Sequence, residues 1–109
     1  FEVGCAYGFF LDEAKSLFKN VRGLDISEDG INHAKNTLNL DVKSTEFTEF
    51  EAKESVDVGC MWDTIEHLQN PQLYLQKFSD LIPKDGLLCI TTGDINSVIA
   101  RWRKENRFV

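Results

Sequence analysis

The sequence predicts an α/β fold in which helices cover both faces of an open, parallel, twisted sheet. Short apolar runs typical of strands alternate along the chain with segments whose apolar residues recur at helical spacing. Two of these runs, residues 56–62 and 86–92, are almost continuously apolar, as expected for strands that are covered on both faces. A loop of small residues joins the first strand to the first helix. This alternation indicates βαβ units joined by right-handed crossovers.

The individual elements follow from the same patterns. Strands are predicted at residues 1–3, 21–25, 56–62 and 86–92, with a weaker strand around residues 41–44. Three apolar stripes at helical spacing each predict a helix with one face on the sheet. The stripes are Phe10, Ala14, Leu17 and Phe18, then Ile31, Ala34 and Leu38, and finally Tyr74, Phe78, Leu81 and Ile82.

Residues at the helix ends support the second and third helices. Ser27 can cap the second helix, with Glu28 and Asp29 in its first turn, where negative charge is favoured. The Asn-Pro pair at residues 70–71 is typical of an N-cap followed by a first helical position. A final helix is predicted at about residues 98–104.

Composition bounds the function. The chain has 109 residues and 42% apolar residues, which favours one folded domain, and we expect it to be a piece of a longer protein because it opens inside a strand. Its net charge is −6, so a basic face for nucleic acid is not expected, and the basic run at residues 101–107 is interpreted as a solvated helix end. No apolar run is long enough to span a membrane, and no secretory signal is visible.

Three cysteines, Cys5, Cys60 and Cys89, lie far apart in sequence and in apolar, strand-like contexts. An odd number in such contexts favours buried, reduced thiols over disulfides or zinc ligands. We therefore expect a cytoplasmic protein without a metal site.

The loop after the first strand has the composition of a ligand cradle. Gly4 allows a sharp turn, while Ala6 and Gly8 let the backbone approach a ligand and let the helix pack closely on the strand. Asp25 ends the next strand, about 20 positions later, where a carboxylate can accept both hydroxyl hydrogens of a ribose. A tight turn without a ligand, and a merely capping or solvated Asp25, are the alternatives.

Four segments, taken in order, resemble class I S-adenosylmethionine (SAM) dependent methyltransferases. The first is the Glu-x-Gly-x-Ala-x-Gly loop at residues 2–8, and the second is the strand and acidic tip at residues 23–27. Residues 57–71 are similar to the fourth strand and its following segment in the branch that includes ubiquinone-biosynthesis O-methyltransferases, and residues 81–88 resemble the turn into the fifth strand.

The resemblance implies a Rossmann-like methyltransferase fold of strand order 3-2-1-4-5 whose C-terminal strands are missing. Residues 1–109 would then form a partial SAM-binding methyltransferase domain. It also implies the residues that bind the cofactor. These are Glu2 near the methionine end, Gly4, Ala6 and Gly8 as the floor, Asp25 at the ribose, Ile26 on the adenine face, Glu46 at the adenine amino group, Phe47 with its backbone N–H and apolar wall, and Trp62 and Asp63 beside the methionine portion and the acceptor pocket.

Two departures from the family pattern fall within this set. Ala6 replaces the second glycine, which is a mild change if the backbone φ there is negative. Glu46 stands where aspartate is commoner, so its reach differs by one methylene.

The activity implied is methyl transfer from SAM to a small-molecule acceptor with an oxygen or nitrogen nucleophile. A hydroxyl acceptor needs a base, and His67 is the best local candidate, with Glu66 second. A purely structural Glu-His pair is the alternative. We expect His33 to be exposed. The aromatic residues Phe9, Phe10 and Phe18 are expected to belong to the core and not to a cofactor-binding surface.

Two other functions remain open at this stage. An NAD-binding Rossmann oxidoreductase shares the glycine loop and the ribose acid, although its third small residue normally falls one position after Gly8. A non-catalytic SAM-binding domain is the second. Because strands beyond the fifth are missing, we also expect the strand at residues 86–92 to be an exposed apolar edge that favours self-association.

Overall fold

A computed structural model describes residues 1–93, in which strands and helices alternate as expected. The strands are β1 (Glu2–Val3), β2 (Arg22–Asp25), β3 (Asp41–Ser44), β4 (Val58–Trp62) and β5 (Leu87–Thr91). The helices are α1 (Phe9–Ala14), α2 (Glu28–Asn36) and α3 (Pro71–Leu81), and single 3₁₀ turns span Phe47–Glu49 and Ile65–His67. The helix expected at residues 98–104 and the basic run at 101–107 lie outside the described residues.

The strands form one parallel sheet in the order β3-β2-β1-β4-β5, which confirms the predicted fold and strand order. β1 lies at the centre, where Glu2 is in register with Gly23 on one side and Cys60 on the other. The chain moves in one direction from β1 to β3 and in the other from β4 to β5. Right-handed crossovers therefore place α1 and α2 on one face and α3 on the opposite face.

Two apolar clusters fill the two faces of the sheet. The cluster under α3 contains Met61, Phe47 and Phe78, all essentially inaccessible to solvent, and the Phe47 and Phe78 ring centroids are 4.5 Å apart. The cluster under α1 and α2 is built from Leu11 and Ala34 with their neighbours. Both clusters pack against the central strands, so close packing on both faces of the sheet fixes the position of the strands' carboxyl ends.

The capping predictions hold for α2 and in part for α3. The Ser27 hydroxyl accepts a hydrogen bond from the Gly30 N–H at 3.3 Å, and Glu28 and Asp29 occupy the first turn of α2. Pro71 is the first residue of α3, as predicted. Asn70 occupies the N-cap position, but its side chain makes no capping hydrogen bond.

The prediction for α1 was wrong over its second half. The helix ends at Ala14, whose carbonyl accepts hydrogen bonds from Leu17 and Phe18 in a turn. Leu17 is 84% exposed, and Phe18, Phe9 and Phe10 are exposed as well, so these aromatic rings are not part of the core. Leu17 and Phe18 lie beyond the six-residue helix, whose buried residues are Leu11 and Ala14. Of the predicted stripe, only Ala14 is therefore buried.

The three cysteines are free, but only two match the predicted burial. Cys5 and Cys60 are buried, whereas Cys89 on β5 is half-buried. Burial raises the pKa of the Cys5 thiol to about 12 and also raises that of Cys60, so both stay protonated and unreactive at neutral pH. Within residues 1–93, none of the helices is long and apolar enough to cross a bilayer.

Candidate functional site

A crevice of about 790 Å³ opens at the carboxyl ends of β1, β2 and β4. It lies where the strand order changes direction, between β1 and β4, which is the usual ligand position in open α/β sheets. All predicted cofactor residues except Glu2 and Gly8 border it, together with His67. They are Gly4, Ala6, Asp25, Ile26, Glu46, Phe47, Trp62 and Asp63.

The loop after β1 forms one wall and depends on left-handed backbone conformations. Gly4 has φ 85° and Gly8 has φ 86°, values that favour glycine. A Cβ at Gly4 would overlap the Thr64 side chain, so glycine also lets the two sides of the crevice approach each other. Ala6 has φ 47°, so the exchange of glycine for alanine is not mild here, because the loop carries backbone strain.

Asp25 ties this loop to the start of α2. Its Oδ2 accepts a hydrogen bond from the Ala6 N–H and its Oδ1 accepts one from the Ser27 N–H, each at 2.8 Å. Because each carboxylate oxygen has two lone pairs, both can still accept a hydrogen from a ligand hydroxyl. Ile26 follows and is exposed, so an apolar surface lies directly beside the carboxylate.

Glu46 lies between β3 and the 3₁₀ turn that begins at Phe47. Its carboxylate is held by Tyr74, a residue that the sequence pattern predicts only as part of the core. The hydroxyl of Tyr74, on α3, donates a hydrogen bond to Glu46 Oε2. Burial, followed by this hydrogen bond, raises the pKa of Tyr74 to about 12. Phe47 borders the crevice as well, but its ring is 1% exposed and packs against Tyr74 and Phe78.

Trp62 is the last residue of β4, and Asp63 follows it directly. Asp63 has φ 50°, and its N–H is 3.1 Å from both the backbone oxygen and the hydroxyl oxygen of Thr91. The Trp62 ring packs edge-on against Phe10, with centroids 5.1 Å apart, and its buried Nε1 has no hydrogen-bond partner among residues 1–93.

The same tryptophan borders a second cavity, a groove of about 420 Å³ between α1 and the β4–β5 half of the sheet. Phe10 and Phe18, which are not part of the core, line this groove together with Cys60 and Cys89. Trp62 thus borders both the groove and the crevice.

His67 borders the mouth of the crevice from the second 3₁₀ turn. Its side chain is 77% exposed, and Nε2 lies 3.8 Å from Glu66 Oε1. This imidazole can therefore reach a bound molecule from the solvent side. The expectation that His33 is exposed was wrong, because this residue is half-buried. Its Nδ1 donates a hydrogen bond to the Tyr7 carbonyl oxygen at 3.1 Å, and its ring packs against the Tyr7 and Phe9 rings.

Two predicted residues, Glu2 and Gly8, do not border the crevice. Gly8 precedes α1, where a Cβ would collide with Leu40 and Ala34, so its role in this structure is close packing. Glu2 is 4% exposed, and its Oε1 has no hydrogen-bond partner among the described residues. Burial raises the pKa of Glu2 to about 7; the amino group of Phe1 lowers it, and Asp25 adds a smaller increase.

The charges around the crevice favour a ligand with hydroxyl and amino donors or a positive charge. Asp25, Glu46 and Asp63 border it, and among the described residues that line it there is no lysine or arginine. A dinucleotide pyrophosphate would meet carboxylates without a cation to offset them. In residues 1–93, no three His, Cys, Asp or Glu side chains come together as a metal site.

Comparison with known proteins agrees with this geometry. The family described as "Methyltransferase domain" matches residues 1–109, the whole chain. The chain belongs to this methyltransferase family. Its strand order and its crevice at the carboxyl ends of β1 and β2 are those that the four sequence segments implied.

Among curated methyltransferases, the chain is 24% identical over 100 residues to the ubiquinone biosynthesis O-methyltransferase of Bradyrhizobium diazoefficiens, covering 87% of this chain and 40% of that protein. It is 29% identical over 97 residues to the (S)-tetrahydroprotoberberine N-methyltransferase of Eschscholzia californica, covering 82% of this chain and 28% of that one. The chain thus spans less than half the length of either relative.

A solved structure supports the fold. The plantazolicin methyltransferase BpumL, in complex with a pentazolic desmethylPZN analog and S-adenosylhomocysteine (SAH), superposes with a TM-score of 0.83 at 21% identity. The match covers 91% of this chain and 40% of that one. At this identity the likeness establishes the shared Rossmann-like architecture.

Proposed function

We propose that the chain is the SAM-binding part of a methyltransferase that acts on a small-molecule acceptor with an oxygen or nitrogen nucleophile. The observation that carries the proposal is the crevice itself, in which Asp25 at the end of β2 and Glu46 just after the neighbouring strand β3 lie beside the loop that contains Gly4. Relatives that methylate oxygen and nitrogen support the two classes of nucleophile. BpumL, solved with SAH, supports the cofactor.

The residues present fit SAM. Asp25 has free lone pairs for the two ribose hydroxyls, Ile26 offers an apolar surface to the base, and Glu46 has Oε1 free to accept from an amino group. Gly4 and Ala6 would form the floor, and Trp62 and Asp63 would border the methionine portion. Glu2 would lie near the methionine end, and Gly8 would support the floor through close packing. When bound, SAM supplies an electrophilic methyl group.

The chain's own contribution to the reaction is positioning and proton removal. The rigid loop and the Asp25 hydrogen bonds would fix the ligand relative to the crevice mouth, and such fixation contributes several kcal/mol through effective concentration. His67 at the mouth would take the proton from a hydroxyl acceptor, and Glu66 would stabilise the resulting imidazolium. An amine acceptor would not need His67.

The first experiment measures binding. Isothermal titration calorimetry of the full chain with SAH and with NADH should give binding of SAH only, and Asp25→Asn should weaken it. Binding of NADH in preference to SAH would contradict the proposal and support an NAD-binding oxidoreductase. Absence of binding to both would refute the proposed site.

The second experiment separates catalysis from binding. The longer parent protein is incubated with SAM and a panel of phenols and amines, and methyl transfer is followed by mass spectrometry. His67→Ala should lower transfer to phenols strongly and to amines little. If SAH binds but no acceptor is methylated, a non-catalytic SAM-binding domain replaces the enzyme.

The remaining proposals concern surroundings and assembly. The three free cysteines favour a reducing compartment such as the cytoplasm, and the acidic crevice and net charge of −6 favour neither nucleic acid nor an anionic membrane as partner. Leu87 on β5 is 63% exposed, which supports self-association along this strand. Light scattering coupled to size exclusion tests this, and a monomer at high concentration would contradict it.

A further inference from the structure

Tyr74 contacts the candidate site through a hydrogen bond to Glu46 that no sequence motif predicts. It lies on α3, 28 positions after Glu46 in sequence, and both residues border the crevice. Tyr74 is 8% exposed, and its hydroxyl donates to Glu46 Oε2. One carboxylate oxygen is thus engaged by the protein, and Oε1 is left for a ligand.

We infer that Tyr74 is a positioning residue that makes the base site selective for a 6-aminopurine, because its hydroxyl holds the Glu46 carboxylate as a hydrogen-bond acceptor. This inference rests on the proposed function. The Tyr74 hydroxyl donates to Oε2, so the Glu46 carboxylate presents its other oxygen, Oε1, as an acceptor. A carboxylate has only acceptors, so it accepts from an exocyclic amino group and repels the carbonyl of a 6-oxopurine.

The surroundings of Tyr74 make the hydroxyl a fixed donor. Its ring centroid is 5.7 Å from that of Phe47, which in turn packs on Phe78 in the fully buried part of the core. With a pKa of about 12, the phenol keeps its proton throughout the neutral range. The donor therefore neither rotates away nor ionises, and Glu46 is held in one orientation.

The ligands that test this differ only at position 6 of the purine. SAH carries an amino group there, and S-inosylhomocysteine carries an oxo group. Dissociation constants of both are measured by calorimetry at pH 7.5 for the wild type, Tyr74→Phe, Glu46→Gln and the double variant. Tyr7→Phe is the matched control, because it removes the chain's other phenol hydroxyl, which does not border the crevice.

The wild type should prefer SAH by tenfold or more, and Tyr74→Phe should lower this preference at least about fivefold. Glu46→Gln should abolish the preference, because an amide can donate to the 6-oxo group, and adding Tyr74→Phe to it should change the ratio no further. Tyr7→Phe should keep the wild-type ratio.

Equal weakening of both ligands by Tyr74→Phe would show a structural role and overturn the inference, while leaving the proposed function intact. If the wild type binds neither ligand, the proposed function itself fails. Should Tyr74→Phe not fold, Glu46→Asp tests the same contact, because the carboxylate retreats from Tyr74 by one methylene and keeps its charge. An unchanged preference in Glu46→Asp would also overturn the inference.

Discussion

Replacing Glu2 by glutamine should change how the stability of the protein depends on pH. Glu2 is buried, and one of its oxygens has no hydrogen-bond partner in the described residues. Burial raises its pKa from 4.5 to about 7, against the opposing effect of the Phe1 amino group. The folded state therefore holds this proton more tightly than the unfolded state does.

The sign and size follow from proton linkage. Since the folded pKa is the higher one, the wild type loses stability as pH rises from about 4.5 to about 7, and the loss is complete above that range. Between pH 5 and pH 8, the two pKa values give a loss of about 2.5 kcal/mol. This is a large part of the roughly 5–15 kcal/mol that stabilises a small domain.

Urea unfolding of the wild type and Glu2→Gln at pH 5 and pH 8, followed by circular dichroism, measures the effect. The free energy of unfolding of the wild type should fall by about 2.5 kcal/mol more than that of the variant, because other titrating groups cancel in the comparison. The same pH dependence in both proteins would refute the reasoning and place a solvated or hydrogen-bonded carboxylate at this position.

Three further substitutions test the loop after β1, the core and the Asp25 carboxylate. Ala6→Gly should raise the free energy of unfolding by about 0.5–1 kcal/mol, because it relieves the strain at φ 47° although glycine stabilises the unfolded chain; no gain in urea titrations would mean that the loop relaxes. Phe78→Ala should lower that free energy by about 3–5 kcal/mol, since its fully buried ring leaves a cavity; a loss below 1 kcal/mol would show that the core collapses around it. Asp25→Asn should weaken SAH binding at least about tenfold in calorimetry, because an amide keeps one acceptor oxygen where the carboxylate offers two; unchanged affinity would remove Asp25 from the site.

Much of the fold was predictable because it depends on local patterns. The apolar runs and helical stripes identify the strands and the faces of α2 and α3, and Ser27 and Pro71 mark helix starts from chain-local chemistry. The strand order and the crevice followed from the family resemblance, because the carboxyl ends of parallel strands meet at one edge of the sheet.

The errors lie where three-dimensional packing overrides the pattern. The apolar stripe continues at helical spacing to Phe18, but the first helix ends at Ala14 and Phe18 is exposed. The positive φ of Ala6 is imposed by the turn between β1 and α1 and not by the residue, which disfavours it. Tyr74 and Glu46 approach each other because α3 packs against the 3₁₀ turn Phe47–Glu49, which Glu46 precedes, and spacing along the chain does not reveal this contact.

The two hydrogen bonds of Asp25 have a thermodynamic consequence. One carboxylate joins the Ala6 and Ser27 main chains, so this end of the crevice is held in place before any ligand enters it. A ligand then loses its own freedom on binding but need not organise this part of the protein, which keeps the entropic cost of association low.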